Sequence, residues 1–446
     1  MTWKMSGMKI NKLMTPLLLL ACGITMAQAT MAPTQKKSIL IVNATAHLGN
    51  GKVIPKSLVG IADGKIKEVF NANVVKAENL SYDTLIQAEG KHLYPGFIAV
   101  NTTLGLREID QVRATHDYAE TGSMNPNVRS IIAYNTDSRI IPTVRSNGVL
   151  YAQVSPRGGK ISGTSSVVEL DGWNWEEAVY RENDGVHLNW PKYRVEDPNR
   201  KKNKKDSIDI DARRRAEIRE LTVFFNDAKA YLNASYQYEV NLRFESMRGV
   251  FNGEKRIYVH ANHMREISEA VYFKRDLGIR NMVIVGGSDA WRVVEFLKDH
   301  DIPVVVRRPH SLPSRPDEDI DLPYKLPALL EAAGVLCCID NEGRMETMNT
   351  RNLPFWAGTC SAYGLGEERA IQSITLNAAK ILGIDKTTGS IEAGKDASLF
   401  ISSGNALDAL TNHVELAWIK GRQIDLDNAQ KQLYLKYKAK YERRAD

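Results

Sequence analysis

The sequence has few of the features that mark several classes of protein. Its 446 residues include only 4 cysteines, too few for a disulfide-stabilised scaffold. The formal net charge is only +6, so a dedicated nucleic-acid-binding protein is not expected. After the N-terminal segment, no apolar run approaches the ~18 residues that a membrane-spanning helix needs. The composition, with 43% hydrophobic and 25% charged residues, is instead typical of a folded globular protein.

The N-terminal segment 1–29 has the three parts of a secretory signal peptide. Three lysines come first, an apolar stretch follows over residues 13–26, and small residues surround the expected cleavage point near Ala29. The sequence therefore predicts an exported protein, periplasmic or secreted, that is soluble after cleavage. One alternative remains: Cys22 lies in a stretch that resembles a bacterial lipoprotein box, where it would accept a lipid.

The pattern of apolar residues divides the mature chain into three parts. Residues 30–95 read as short antiparallel strands separated by turns, which form the first part of a small β-sandwich. Over 96–388, apolar runs of strand length alternate with helical segments, the pattern of a parallel sheet closed into a distorted TIM (β/α)8 barrel. Residues 389–446 return to short strands and end in a helix. We therefore predict an α/β protein whose sandwich combines both chain ends.

Individual elements of the barrel can also be predicted. Strand-length runs lie at 96–100, 149–154, 256–259, 282–285, 302–306 and 335–339. Helical segments lie at 212–232, 264–277, 291–300, 327–333 and 367–382. The adjacent Cys337 and Cys338 point to opposite faces of a strand, so two buried free thiols are expected rather than a disulfide. The insertion at 185–245 is left open as a lid over a pocket or a contact with another subunit, and a homo-oligomer is also left open.

Several motifs resemble the amidohydrolase superfamily. Residues 95–98 (PGFI) are similar to the start of its barrel, and residues 377–383 (NAAKILG) followed by 389–397 (GSIEAGKDA) are closely similar to its C-terminal signature. Residues 352–358 look like the imidazolonepropionase-related branch. The resemblance implies a metal-supported barrel that hydrolyses amide, cyclic amide or related bonds.

The metal-binding positions of the superfamily are only partly retained. Two histidines are expected after the first barrel strand, but these places hold Asn101 and Thr103. Amide and hydroxyl oxygens bind divalent metals far more weakly than imidazole does. His260 matches the fifth-strand histidine, Gly286 stands where the sixth-strand histidine is expected, and Asp340 matches the metal-binding and proton-shuttling aspartate. The motif is therefore degenerate.

A relocated metal site is one way to restore the chemistry. Side chains at the carboxyl ends of barrel strands face one shared mouth, so His260, His310 and Asp340 could together bind zinc. A zinc-bound water would then be the nucleophile, and Asp340 would pass its proton to the leaving nitrogen. The alternatives are a hydrogen-bonded, metal-free His260, a loop histidine at 310, and an Asp340 that caps a turn or pairs with an arginine.

The same mouth contains candidates for substrate binding. Asn101, Thr103 and Arg157 are expected to line it, with the guanidinium of Arg157 matching the geometry of a substrate carboxylate. The glycine-rich stretch 155–166 is predicted to be a loop, which either serves as structure only or holds an anion with its backbone amides.

Two hypotheses for function follow. The first is a hydrolase of non-peptide or small-peptide C–N bonds, such as those of cyclic amides or N-acyl amino acids, with a reduced or rearranged metal site. The second is a noncatalytic barrel, a pseudoenzyme, that binds a small ligand at its mouth. The cofactor is accordingly one divalent metal, best matched by zinc, or none.

Overall fold

The computed structural model describes residues 31–193, 210–235, 239–343 and 345–443. The predicted signal peptide, Cys22 and much of the charged part of the 185–245 insertion lie outside the described residues. Two sheets of eight strands each organise the rest of the chain.

The first sheet combines both ends of the described chain, as predicted. Its order is β16-β15-β14-β5-β1-β2-β3, with β4 also paired to β1. Its strands are β1 (Ile39–His47), β2 (Val53–Ala62), β3 (Lys65–Asn71), β4 (Thr84–Gln87), β5 (His92–Pro95), β14 (Leu399–Ser402), β15 (Val414–Ile419) and β16 (Arg422–Gln423). Antiparallel pairing of β5 with β14 joins the two ends of the chain. Ile41, Leu93, Leu399 and Trp418 are buried together in its core, which explains the alternating apolar positions.

The second sheet forms a nearly closed barrel, which confirms the predicted α/β fold. Its strands, in spatial order, are β6 (Phe97–Thr102), β7 (Val149–Val154), β8 (Ile161–Glu169), β9 (Val179–Asn189), β10 (Arg256–Ala261), β11 (Met282–Gly286), β12 (Val304–Val306) and β13 (Cys337–Ile339). A parallel bridge between Val100 and Asp340 links the last strand to the first. The carboxyl ends of β6 and β13 therefore meet at the barrel mouth.

The barrel departs from a regular TIM barrel at β8, which runs antiparallel to both β7 and β9. The prediction of a loop over 155–166 is wrong from Ile161 onward, because β8 begins there. All nine residues of β8 are buried, although several are polar. Their hydroxyls are satisfied inside the protein: Thr164 donates to the oxygen of Pro126, and Ser165 donates to Asp184. A buried strand rich in serine and threonine lacks the apolar run that identifies the other strands.

Most helices lie between the barrel strands in sequence, and the last helix comes after the final strand of the terminal sheet. They are α1 (Ile141–Arg145), α2 (Trp175–Ala178), α3 (Ile210–Asn233), α4 (Leu242–Ser246), α5 (Arg248–Asn252), α6 (Met264–Leu277), α7 (Val294–Asp299), α8 (Leu322–Ala332), α9 (Glu346–Asn349), α10 (Leu353–Cys360), α11 (Glu367–Ser373), α12 (Leu376–Leu382) and α13 (Ala429–Glu442). The predicted helix at 264–277 is confirmed with both ends. The single helix predicted over 367–382 is instead two, because Thr375 leaves the helical conformation (φ −129°, ψ −96°) and separates α11 from α12.

Two further expectations concern the core and the surface. Cys337 and Cys338 are buried free thiols, as predicted, and they belong to two different hydrophobic clusters because neighbouring strand residues face opposite sides. Within the described ranges, none of the helices combines the length and apolar character required to cross a bilayer.

Candidate functional site

Asn101 lies near the carboxyl end of β6, where the superfamily resemblance expects a metal-binding histidine. Its backbone is in the left-handed region (φ 53°), which asparagine tolerates better than most residues. Its Nδ2 donates to Oδ2 of Asp340 at 2.8 Å. Its Oδ1 and its main-chain oxygen accept hydrogen bonds from the two Nη atoms of Arg157, at 2.9 and 2.8 Å. Both ends of this buried amide are therefore engaged within the protein.

Thr103 is engaged in the same way. Its hydroxyl lies 2.8 Å from Oε1 of Glu346, to which it donates, and 2.8 Å from the hydroxyl of Thr347. Arg157 pairs with the same carboxylate at 3.3 Å, and the two side chains are only 19% and 7% exposed. The structure thus brings together the three predicted substrate-binding residues, Asn101, Thr103 and Arg157, but their polar groups bond mainly to the protein itself.

Asp340 follows β13 and is fully buried beside Asn101. Its Oδ1 accepts hydrogen bonds from the backbone N–H groups of Asn341 and Glu342. Burial, together with the negative charge of Glu342, raises the pKa of Asp340 well above its usual value. The hydrogen bonds from Asn101 and Asn341 and the charge of Arg157 oppose this shift without cancelling it. Asp340 therefore keeps its proton to a higher pH than an ordinary aspartate.

Glu342, two residues further on, shifts in the opposite direction. Burial disfavours its ionised form, but the neighbouring His260 and the charges of Arg157 and Arg307 outweigh it and lower the pKa of Glu342 to about 2. Nδ1 of His260 lies 3.8 Å from Oε2 of this carboxylate. The side chain of Glu342 is 37% exposed, so it faces solvent at the mouth. One carboxyl group of this pair is thus suited to donate a proton while the other is ionised.

A second histidine, His187 on β9, completes the site. Its Nδ1 lies 3.0 Å from Nε2 of His260, and one of the two nitrogens must carry the shared proton. The His187 ring is fully buried and stacks on Tyr258 with 4.8 Å between ring centroids. Burial, with the neighbouring His260 and Arg157, lowers the pKa of His187 well below its usual value, so this imidazole is neutral. Its Nε2 makes no hydrogen bond to any described residue.

A network of buried polar side chains holds these residues in place from the barrel interior. Asp184 accepts hydrogen bonds from Tyr258 (2.7 Å), Ser165 (2.8 Å) and Gln153 (2.7 Å). Burial raises the pKa of Asp184 in spite of these three bonds. The Oε1 of Gln153 accepts from the backbone N–H of Asn101 at 3.0 Å. This network therefore helps to fix the left-handed backbone conformation of Asn101 through its hydrogen bond to Gln153.

Gly286 occupies the sixth-strand position where the resemblance expects a histidine. Its φ of +101° favours glycine, and an added Cβ would lie 2.6 Å from Oδ1 of Asn262. That amide oxygen instead accepts a hydrogen bond from Ser288 at 3.0 Å. The amide of Asn262 thus fills the space in which a larger residue at 286 would begin.

The described residues at the mouth do not fit a zinc centre with three protein ligands. Nδ1 of His187 and Nε2 of His260 lie 3.0 Å apart and share a hydrogen bond, whereas catalytic zinc usually takes three protein ligands. His310 does not join them: its Nε2 bonds to the hydroxyl of Thr359 at 2.8 Å, and it lines a separate cavity. Within the described ranges, three metal-type ligand atoms come within 4.8 Å of one another at a single place, which does not include His260, His310 or Asp340.

Sequence reasoning missed three residues of this site: His187, Glu342 and Glu346. His187 lies on a strand that the apolar pattern did not reveal, because β9 pairs with the polar strand β8. Glu342 and Glu346 follow Asp340 in the chain, so their positions just beyond the eighth strand were the available signal. His263 lies next to this region but caps the start of α6.

The chain resembles known proteins in part of its sequence and in its fold. Residues 326–424 match the sequence model of the amidohydrolase family, a segment that includes Asp340 but neither His187 nor His260. No curated protein matches the sequence. The fold is similar to that of an amidohydrolase from Thermotoga maritima MSB8, with a TM-score of 0.72 and 24% identity over 87% of this chain and 99% of that one.

Two other solved structures share the architecture at lower similarity. A prolidase complexed with N-methylphosphonate-L-proline has a TM-score of 0.52 and 15% identity, covering 87% of this chain and 99% of its own. An adenosine deaminase from Xanthomonas campestris with bound zinc has a TM-score of 0.52 and 16% identity, covering 92% and 99%. These likenesses support the fold, and the imidazolonepropionase-related branch stays a prediction.

Proposed function

We propose that the protein hydrolyses a C–N bond of a small molecule at the barrel mouth, in the class of cyclic amides or N-acyl amino acids. The observation that carries the proposal is the pair Asp340 and Glu342. These two carboxyl groups follow the same strand, and one is held beside Asn101 while the other is held beside His260. Because their environments shift the two pKa values in opposite directions, Asp340 is suited to act as the general acid, and the ionised Glu342 is suited to support the general base.

The proposed reaction needs a proton acceptor for water. Nδ1 of the His260 imidazole takes this role, because imidazole is the side chain that most often serves as general base. Nε2 of the same ring carries a hydrogen, which it donates to Nδ1 of His187. The ionised Glu342 faces its Nδ1 and stabilises the imidazolium that forms. His187 lies on the other side of the ring and restrains its orientation. The water oxygen then bonds to the substrate carbonyl carbon.

The second half of the reaction breaks the C–N bond. Asp340 gives its proton to the leaving nitrogen, and the products are a carboxylic acid and an amine, joined in one molecule if the substrate was cyclic. The proton on His260 then returns to Asp340. The positive charge of Arg157, held between Asn101 and Glu346, stabilises the negative charge that develops on the carbonyl oxygen. Among the described residues of the mouth, Nδ1 of His187 and Nε2 of His260 are hydrogen-bonded to each other, and the protein's own side chains carry each proton in this reaction.

The proposal is tested by turnover of a panel of cyclic amides and N-acyl amino acids. We expect Asp340→Asn and His260→Ala each to lower kcat by about 10²–10⁴-fold, the usual contribution of a general acid or base. Asp63→Asn, at a position that is 85% exposed, is the control and should leave turnover unchanged. Retention of full activity in both mouth variants would refute the assignment.

A noncatalytic binding protein is the second candidate. It is favoured by the internal hydrogen bonds of Asn101 and Thr103, which leave these side chains little capacity to bind a reacting group. In that case, calorimetry with the same panel of compounds would detect binding, but no compound would be turned over. Arg157→Met would weaken binding, and Asp340→Asn would have no turnover to reduce.

We also propose that the protein is exported, on the basis of the N-terminal segment 1–29. The basic start, the apolar stretch and the small residues near Ala29 support cleavage by a signal peptidase. Lipidation at Cys22 remains the alternative.

A further inference from the structure

Three metal-type ligand groups converge where the terminal sheet meets the barrel. His47 is the last residue of β1, and Glu367 and Glu368 are the first two residues of α11. One ligand atom from each of the three side chains lies within 4.8 Å of the other two. Nδ1 of His47 is 2.5 Å from Oε1 of Glu368. This group lies outside the site at the barrel mouth and plays no part in the proposed reaction.

The imidazole of His47 is held rigidly in place. It is 4% exposed, and its ring stacks on Tyr94 with centroids 4.4 Å apart and planes only 2° from parallel. Its Nε2 lies 3.0 Å from Nδ1 of His92, a residue that β1 and β5 bring alongside by their parallel pairing. When Nε2 donates its hydrogen to His92, Nδ1 keeps the lone pair that can bind a metal, which is the usual arrangement around metal-binding histidines. The ion would then take the place of the proton that lies between Nδ1 and Oε1 of Glu368.

The carboxylates have capacity that the protein does not use. Oε2 of Glu368 is buried and makes no hydrogen bond to any described residue. A buried carboxylate oxygen without a partner is costly, and a bound cation would offset that cost. Glu367 accepts a hydrogen bond from Asn405 at 3.0 Å and also lines a cavity of about 470 Å³, which gives solvent access to the group.

We infer that His47, Glu367 and Glu368 bind one divalent transition-metal ion, of which zinc is the best match. An imidazole nitrogen with two carboxylate oxygens is a donor set suited to zinc, and three protein ligands leave a position for water on the side of the cavity. His92 orients His47 and does not itself bind. Because His47 belongs to the terminal sheet and the glutamates to a barrel helix, the ion would also link these two parts of the fold.

The inference is tested by metal binding rather than by activity. Full-length protein is treated with a chelator, dialysed, and titrated with Zn²⁺ by calorimetry. We expect one equivalent to bind, and Glu368→Gln or His47→Asn to weaken binding by more than about tenfold, as a lost ligand or orienting group does. Asp408 lines the same cavity but is not one of the three proposed ligands. Asp408→Asn is therefore the matched control and should bind Zn²⁺ like the wild type.

A second variant separates this site from the barrel mouth. His260→Ala should bind Zn²⁺ with unchanged affinity even if it abolishes turnover, so failure of one proposal leaves the other intact. X-ray absorption of the Zn²⁺-loaded wild type should show nitrogen and oxygen ligands without sulfur, and this measurement does not depend on any variant folding. Absence of binding, equal binding by Glu368→Gln, or loss of binding in His260→Ala would each overturn the inference.

Discussion

Arg157 donates hydrogen bonds to both the side-chain and the main-chain oxygen of Asn101, at 2.9 and 2.8 Å. Asn101 is therefore held in place by the buried guanidinium of Arg157. Glu346 pairs with the same guanidinium at 3.3 Å, and the carboxyl groups of Glu346, Glu342 and Asp340 raise the pKa of Arg157 against the effect of burial. The polar residues of the mouth therefore form a hydrogen-bonded network that contains its own positive charge.

Removal of this cation should destabilise the protein. Arg157→Met leaves buried carboxylates without a partner, and breaking a largely buried ion pair costs about 3 kcal/mol. Urea unfolding of the wild type and the variant measures the difference. Arg157→Lys keeps the charge but loses the two-armed contact with Asn101, so it should recover only part of the loss. Equal stability of Arg157→Met and the wild type would show that the network does not depend on this charge.

The raised pKa of Asp340 predicts a specific dependence of stability on pH. The folded protein binds this proton more tightly than the unfolded chain, so its stabilising effect is complete below the unfolded pKa and is lost as pH rises through the folded pKa. Asp340→Asn cannot ionise. Its unfolding free energy relative to the wild type should therefore increase as the pH rises from the ordinary aspartate pKa of about 4 upward through the raised pKa of the folded protein. A pH-independent difference in urea midpoints would contradict the shift.

Glu342 supplies the opposite signature at low pH. Its pKa is lowered to about 2, so its stabilising effect is present above the unfolded pKa and is lost as pH falls toward 2. We expect Glu342→Gln to lower stability at neutral pH, and its difference from the wild type to shrink as the pH is lowered from about 5 to 3. Urea unfolding across that range measures this. A difference that stays constant with pH would show that Glu342 is not held ionised by His260.

The fold could be predicted where apolar patterns were strong. The parallel strands β6, β7 and β10–β13 are buried on both faces and read as continuous apolar runs, and the composite terminal sheet follows from similar strand patterns at both ends. β8 was not predicted as a strand because several of its buried residues are serine and threonine. Their burial depends on hydrogen-bond partners that are distant in sequence, such as Pro126 and Asp184. Sequence patterns do not record such long-range hydrogen bonds.

The site could be predicted only in part for the same reason. Asn101, Thr103, Arg157, His260 and Asp340 meet at the mouth, since strand ends in a barrel share one face. His310 also follows a barrel strand, but its side chain turns to Thr359 on α10. The direction in which a loop side chain points is set by packing of the neighbouring helices. His187 could not be identified until β9 was known to be a barrel strand.

Export predicts a defined mature N-terminus. Expression with an intact secretion system should yield a protein cleaved near Ala29, and intact-mass measurement of the secreted or periplasmic fraction checks this. Cys22→Ser should leave processing unchanged. If this variant instead accumulates uncleaved, or if the wild-type mass includes a lipid, Cys22 is the processing site.

Gly286 offers a test of whether the position where the resemblance expects a histidine can accept a side chain. Gly286→Ala introduces a side chain at φ +101°, with its Cβ 2.6 Å from Oδ1 of Asn262. Gly334→Ala is the matched control, because its φ of +80° is also positive while its nearest neighbour is a flexible lysine at 3.8 Å. We expect about 1 kcal/mol of destabilisation for the control and a larger loss at 286, where displacement of the Asn262 amide adds to the backbone strain. Combining Gly286→Ala with Asn262→Ala should relieve the steric clash but not the strain. Urea unfolding of the four proteins measures both contributions, and equal losses at the two glycines would show that Asn262 moves aside freely.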